Sequence, residues 1–224
     1  MDHGDGGFRA GVRAGAPISA ASLVLGMSFG VLAEPVMGSV APVVMSAIVF
    51  AGSAQFGALA VLAAGGGAGA AIAAGVLLNM RYLPMGISIA PSTHGGWLRR
   101  GLAAQPLIDA GWAMSYRGKG RYDVPYMWGF TAANYPMWVG GTALGVLAGD
   151  LIGDPDRLGL DALFPAFFLG LLVGDATEGR LGWVAALLGA TLALSLAPIT
   201  PPGIPIMTAC LAALIALVPE REEP

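Results

Sequence analysis

The chain has 224 residues, 56% of them hydrophobic and 11% charged, with a formal net charge of −3 and a mean hydropathy of +0.72. A soluble domain carries about 25% charged residues, so the chain has too few charges to cover a water-facing surface, and its small net charge argues against nucleic acid as a partner. The single cysteine, Cys210, excludes an internal disulfide framework and a cysteine metal cluster.

The first apolar run, Ala16–Ala33, follows a polar tail of residues 1–15 that holds Arg9 and Arg13. A basic flank and the Val31-Leu-Ala33 triplet resemble a secretory signal, but the run is long, Pro35 follows closely, and further runs come after it. It reads as a first permanent helix. Val40–Ala64 comes next and is interrupted by Gly52, Ser53 and Gln55. A buried primary amide without partners is costly in hydrocarbon. A glycine, a hydroxyl and an amide together at membrane depth therefore point to a broken or water-contacting helix at a binding site. Gly65-Gly66-Gly67 reads as a turn into Ala68–Ala90, which contains Asn79 and Arg81. An arginine at depth costs at least about 2.5–3.5 kcal/mol on insertion scales unless a partner or water compensates; the alternative is a side chain reaching back to the interface.

Gly101–Ser115 is a weaker segment, holding Gln105, Pro106 and Asp109. Asp109 is either the counter-ion of Arg81 or a proton carrier, or else a solvated loop carboxylate. Val124–Ala148 carries Asn134, Pro136 and Trp138 near its middle, where the proline either frees carbonyls to bind something or merely kinks a packed helix. An acidic connection, Asp150–Asp161, leads to Leu160–Gly174, Leu181–Pro198 and Gly203–Val218, and Asp175 and Glu178 read as a wet interface. The expected architecture is an all-α, polytopic integral membrane protein of about 6–8 segments, broken or re-entrant helices included. A single transport domain over residues 16–218 lies between cytoplasmic tails, 1–15 and 219–224. Two pseudo-equivalent halves, a possible inverted repeat, would meet near Gly95–Tyr122, since the two interrupted segments fall on either side.

Lysine and arginine cluster at Arg9/Arg13, Arg99/Arg100 and Arg117/Lys119/Arg121. With the N-terminus inside, full spanning by every run would put Arg99 and Arg100 outside, against the positive-inside rule. Re-entrant hairpins at Val40–Ala64 and Gly101–Ser115 remove the conflict, and either arrangement leaves both termini in the cytoplasm. Gly26-x-x-x-Gly30, Gly141-x-x-x-Gly145-x-x-x-Gly149 and Gly170-x-x-x-Gly174 allow close helix contacts.

Several motifs carry a family resemblance. Arg9-x-Gly-x-Arg-Ala-x-x-Pro17, Phe29-Gly-Val-Leu-Ala33 and above all Met45-Ser-x-x-Val-Phe-Ala-Gly-Ser-Ala-Gln-Phe56 resemble the AzlC family, the large subunit of bacterial branched-chain amino acid exporters. Asn79-Met-Arg81 is similar to the family's Asn-Leu-Arg-His, and Trp138, Gly141-Thr142 and Gly145 to its Trp-x-x-Gly-Thr-x-x-Gly. Asp161 to Phe168 is similar to a later signature. The chain departs from the family at Tyr82, where the family has histidine, at Met80, and at Asp109-Ala110, where Asp-Glu is frequent. A coupling role for that histidine or glutamate therefore does not carry over. The resemblance implies an inner-membrane permease exporting branched-chain amino acids, and a small AzlD-like membrane subunit as partner.

The expected substrate-contacting residues are Gly52, Ser53 and Gln55, supported by Asn79 and Arg81, with Asp109, Asn134 and Trp138 completing the set. Half-helix N-termini would face an amino acid's carboxylate, Gln55 and freed carbonyls its ammonium, and Phe50, Phe56 and Trp138 its apolar group. No catalytic residue, metal or cofactor is expected. An intramembrane serine hydrolase would need a base near Ser53, and the two histidines, His3 and His94, lie in the tail and a loop. A passive channel lined by the Gly/Ser/Gln break is the other reading.

Overall fold

The computed structural model describes residues 4–152, 166, 169, 172–173, 180–200 and 204–212. Leu160–Gly174, the acidic connection, Asp175, Glu178 and the end of Gly203–Val218 lie largely or wholly outside the described residues. Among those described, the chain is helical without a strand, apart from an isolated antiparallel bridge between Tyr116 and Tyr122.

The first helix, α1, spans Gly4–Met37 and holds Pro17 and Pro35 inside it. Most of the expected polar tail is therefore its first turns, in keeping with the good helix formers Ala and Arg at residues 9–16. Gly38 ends it at φ 76°, a conformation that glycine adopts freely, and donates its N–H to Glu34 O at 2.8 Å. α2 covers Ala41–Val49, with Pro42 in its first turn, and stops at Phe50, which is left-handed at φ 42°, ψ 48°. α3 follows at Gly52–Ala63. The expected interruption of Val40–Ala64 is thus present but lies at Phe50–Ala51, and Gly52, Ser53 and Gln55 form the first turn of α3. The reason lies in the phenylalanine ring, which packs edge-on against Tyr135 with centroids 5.0 Å apart and holds the backbone in an unusual region.

α4 (Ala68–Asn79) and α5 (Tyr82–Ile89) are separated by a turn at Met80–Arg81, and a 3₁₀ turn at Ala90–Ser92 closes α5. The expected weak segment becomes two short helices, α6 (Trp97–Ala104) and α7 (Asp109–Ser115), parted at Gln105–Ile108. α8 (Val124–Ile152) runs unbroken through Asn134 and Pro136, so of the two readings of the proline the packed helix holds and the interruption does not. Proline removes one ladder bond, and α1 backs the helix on both sides of it. α9 (Arg180–Leu196) and α10 (Ile204–Ala212) complete the described helices.

Among the described residues two stretches are long and apolar enough to cross a membrane, Gly7–Met37 and Ala68–Ser92, the second made of α4, α5 and the 3₁₀ turn. The expected count of six to eight segments is not reproduced. α8 has the length, but Asn134, Tyr135, Pro136 and its glycines dilute its hydropathy, and the remaining helices are short.

The chain divides into two compact units, Met1–Gly52 with Asn79–Gly153 and Ser53–Leu78 with Asp154–Pro224. They interleave along the sequence instead of parting near Gly95–Tyr122, where the two halves were expected to meet. In the first unit α1 and α8 lie side by side at backbone contact. A side chain at Gly11 would run into Tyr126 O, at Gly26 into Trp138 O and at Gly30 into Thr142 O, while one at Gly129 would strike Phe8 O and one at Gly145 Met27 O. Residue numbers rise together along both helices, so the two are parallel. Helices exchanged by an inverted repeat would be antiparallel, so α1 and α8 are not such a pair. Phe29, Phe130 and Met127 are wholly buried there. In the second unit Gly57 faces Leu78, Gly75 faces Ala54, and Gly189 on α9 lies 3.4 Å, measured to its missing Cβ, from Ala209 O on α10.

Candidate functional site

α2 packs against α8 in the opposite direction. Ser46 Oγ and Thr142 Oγ1 are 2.8 Å apart and buried, Tyr135 Oη donates to Ala47 O at 2.8 Å, and Phe50 meets the Tyr135 ring. α2 therefore starts beside the end of α1 and stops about halfway along α8. The last carbonyls of a helix lack intrahelical partners, and its C-terminus carries partial negative charge. Such an end at mid-depth suits a cation.

A second break faces the first. Thr131 Oγ1 on α8 donates to Pro106 O at 2.7 Å, fixing the Gln105–Ile108 turn at nearly the same level. α7 is held to α5 by Trp112 Nε1 donating to Ser88 Oγ at 2.9 Å, and Tyr122 N donates to Ser92 Oγ at 2.9 Å. Asp123 N also bonds Ser115 O at 2.9 Å. Ser92, Ser115 and the start of α8 thus share one end of the unit, so α6 and α7 rise from that end to the turn and return. The helical pair runs from Trp97 to Ser115 and overlaps the expected Gly101–Ser115 segment.

Between the breaks lies a cavity of about 350 Å³, lined by Ile48, Val49 and Phe50 at the end of α2, Asn79, Tyr82 and Gly86 around the α4–α5 turn, and Ala104, Gln105 and Leu107 at the α6–α7 turn. Asn79 Oδ1 is buried there without a hydrogen-bond partner. Beside the cavity, Arg81 Nη2 and Asp109 Oδ2 form an ion pair of 2.9 Å, with side chains 35% and 55% exposed. The guanidinium carbon lies 5.2 Å from the Tyr82 ring centre.

The eight expected residues therefore separate. Asn79 lines the cavity and Arg81 and Asp109 flank it. Gly52 lies against the edge of the Trp138 indole, with a hypothetical Cβ 2.8 Å from Trp138 Cη2. Asn134 is taken up in the α1–α8 contact: it accepts from Ser22 Oγ at 2.8 Å and donates to Phe130 O at 2.8 Å. Ser53 and Gln55 are buried on α3, in the second unit, and neither is among the cavity's lining. Sequence reasoning missed Ile48, Val49, Tyr82, Gly86, Ala104, Gln105 and Leu107. Tyr82 had a signal, being a polar residue next to Arg81, and Gln105 was visible as a polar residue within the weak segment, whereas the aliphatic residues look like any membrane-helix residue.

The ends of the α1–α8 pair differ in charge. Gly7 abuts the Asp123 carboxylate, and Arg117 bridges to that carboxylate at 3.4 Å with its guanidinium over the Tyr126 ring. Arg9, Arg13, Arg117, Lys119 and Arg121 therefore gather at one end, and Glu34 lies at the other.

Residues 17–152 match the family described as AzlC protein. The chain belongs to the AzlC family. AzlC proteins are transport proteins and not enzymes, which ends the hydrolase reading of Ser53. One similar relative is the "Branched-chain amino acid transport protein AzlC" of Bacillus subtilis, 27% identical over 70% of this chain. The match spans 63% of that relative's length. An "Uncharacterized membrane protein" of Archaeoglobus fulgidus is 30% identical over 92% of this chain and 91% of its own. No solved structure matches.

Proposed function

We propose that this AzlC-family member is a membrane permease that carries branched-chain or other small apolar amino acids across the bacterial inner membrane. The observation that carries the reading is the cavity at which three helix breaks meet. Substrate sites of secondary transporters characteristically use interrupted helices near the bilayer midplane. Ile48, Val49 and Leu107 suit a branched aliphatic chain, and the α2 C-terminus together with Asn79 Oδ1 suits an ammonium. Transport of branched-chain amino acids by the Bacillus relative supports the same substrate class. A multi-pass arrangement with the basic end in the cytoplasm follows the positive-inside rule. Export, and a small AzlD-like membrane subunit as partner, rest on the family resemblance.

The test is efflux from cells loaded with labelled leucine, valine or methionine, with this chain expressed alone and with a small AzlD-like subunit. Saturable efflux that accelerates with external amino acid in exchange is the expected result. Non-saturating flux would identify a channel instead, and no flux in either arrangement would remove the substrate assignment.

A further inference from the structure

Resting on that substrate reading, we propose that the Arg81–Asp109 ion pair is the receptor for the amino acid's two charges. The pair opens, the substrate carboxylate takes the place of Asp109 on Arg81, and its ammonium takes the place of Arg81 on Asp109. An amino acid zwitterion carries the same two charges as the pair it enters, so each side chain exchanges one opposite charge for another. A ligand with one charge engages one of the two side chains and leaves the other without the partner it had in the pair. The pair thereby selects zwitterions over amines and carboxylic acids of the same shape.

Geometry supports each part. The pair is partly exposed, at 35% and 55%, so it is held weakly enough to exchange. Arg81 stands between the cavity-lining Asn79 and Tyr82, and Asp109 two residues beyond the cavity-lining Leu107. The Tyr82 ring, 5.2 Å from the guanidinium, keeps Arg81 in place when Asp109 lets go. Asn79 Oδ1, a buried acceptor lacking a partner, takes a second ammonium N–H. A guanidinium can meet a carboxylate through two parallel bonds, a geometry that suits the substrate's carboxylate as well as that of Asp109.

The experiment measures labelled leucine binding to the full chain in lipid nanodiscs, alone and with an AzlD-like subunit. On the unaltered protein, leucine methyl ester and N-acetyl-leucine should each compete at least about tenfold more weakly than leucine. Competition by either as strong as leucine's would overturn the proposal without recourse to a variant. Arg81→Gln and Asp109→Asn should each weaken leucine about ten- to hundredfold. They should do so with opposite new preferences: Arg81→Gln gains for isoamylamine, Asp109→Asn for 4-methylpentanoate. A merely structural pair would lose leucine in both variants with no gain for either analogue, and that result also overturns the proposal. Should a single variant fail to reach the membrane, the unaltered protein's competition series still decides. Leucine binding with no such discrimination refutes the ion-pair receptor and leaves the permease reading standing, whereas an unaltered protein that binds no amino acid refutes the permease reading itself.

Discussion

Gly52 gives the most direct check on the mid-depth break. Its missing Cβ would lie 2.8 Å from Trp138 Cη2 and 3.3 Å from Cζ2. Carbon contacts are most favourable at about 3.5–4.0 Å, so in Gly52→Ala the indole edge must retreat by about 0.7 Å or α3 must shift at its start. Trp138 is only 8% exposed, and its own carbonyl abuts Gly26 and accepts from Thr142 Oγ1 at 3.0 Å, so its backbone is held on both sides. Overpacking of this kind costs about 1–3 kcal/mol, which for a chain of this size lowers the melting temperature by about 2–12 °C. Alanine suits a helical backbone better than glycine does, so a loss of stability reports the side-chain contact alone. Melting the detergent-purified protein on four backgrounds, unaltered, Gly52→Ala, Trp138→Phe and both together, separates the pairwise effect. With Trp138→Phe present the cost of Gly52→Ala should fall below about 0.5 kcal/mol. An equal cost on both tryptophan and phenylalanine backgrounds would refute the reasoning. Gly52→Leu, with a much larger side chain, should go further and abolish transport, and should recover part of it alongside Trp138→Phe.

Asn79→Leu should weaken leucine binding about ten- to hundredfold while the protein reaches the membrane at a normal level, because it removes an unpaired acceptor from the cavity. Asn134→Leu should do the reverse, costing about 1–3 kcal/mol of thermal stability by removing the bonds to Ser22 and Phe130 and leaving affinity unchanged in the protein that folds; equal affinity losses in the two variants would show that the cavity is misassigned. Gly30→Val drives a side chain into Thr142 O and to 2.8 Å, at its Cβ, from Val146 N, both backbone atoms, so a cost beyond about 4 kcal/mol and loss of monodisperse protein in size-exclusion profiles are expected. With Cys210 replaced, a cysteine at Lys119 should react with an impermeant maleimide only in inverted vesicles and one at Ser39 only in intact cells; reaction of both from the same side would disprove opposite ends for Lys119 and Ser39.

The helical class and the membrane setting were legible because they depend on composition, which averages over the whole chain. The Arg81–Asp109 pair was legible too, since charge at membrane depth needs a partner and the choice of partners was small. Break positions were less so. Gly52, Ser53 and Gln55 look like a helix breaker by their polarity, yet the backbone turns at Phe50, where the deciding contact is with Tyr135, 85 residues further on. Pro136 looks like a breaker and is not one, because α1 lies along that helix and supports it. Asn134 has the polarity of a site residue and serves the α1–α8 contact instead. In each case the outcome depends on a long-range contact that local sequence does not encode.

The parallel run of α1 and α8 constrains the chain between them more than any local signal does. α1 leaves the basic end and finishes at Met37 beside the far end of α8, yet Val124 starts α8 back at the basic end, so residues 38–123 must make one net crossing. Its first half is α2, which stops at Phe50, about halfway along α8; its second half is α5 with the 3₁₀ turn that closes it, running from Tyr82 at the cavity to Ser92, bonded to Tyr122 at the basic end. Phe50 and Asn79 both line the cavity, so residues 51–78 leave the level of the break and rejoin it. The crossing is therefore split into two half-helices at the cavity. Arg99 and Arg100 lie in the first turn of α6, the arm of the hairpin that leaves the basic end, which places them with Arg9, Arg13, Arg117, Lys119 and Arg121. The apparent conflict with the positive-inside rule arises only if every apolar run is counted as a complete span. Under the proposed permease reading, one divided crossing and one hairpin would put the basic residues on one side of the membrane and leave the helix ends around the cavity open to a substrate.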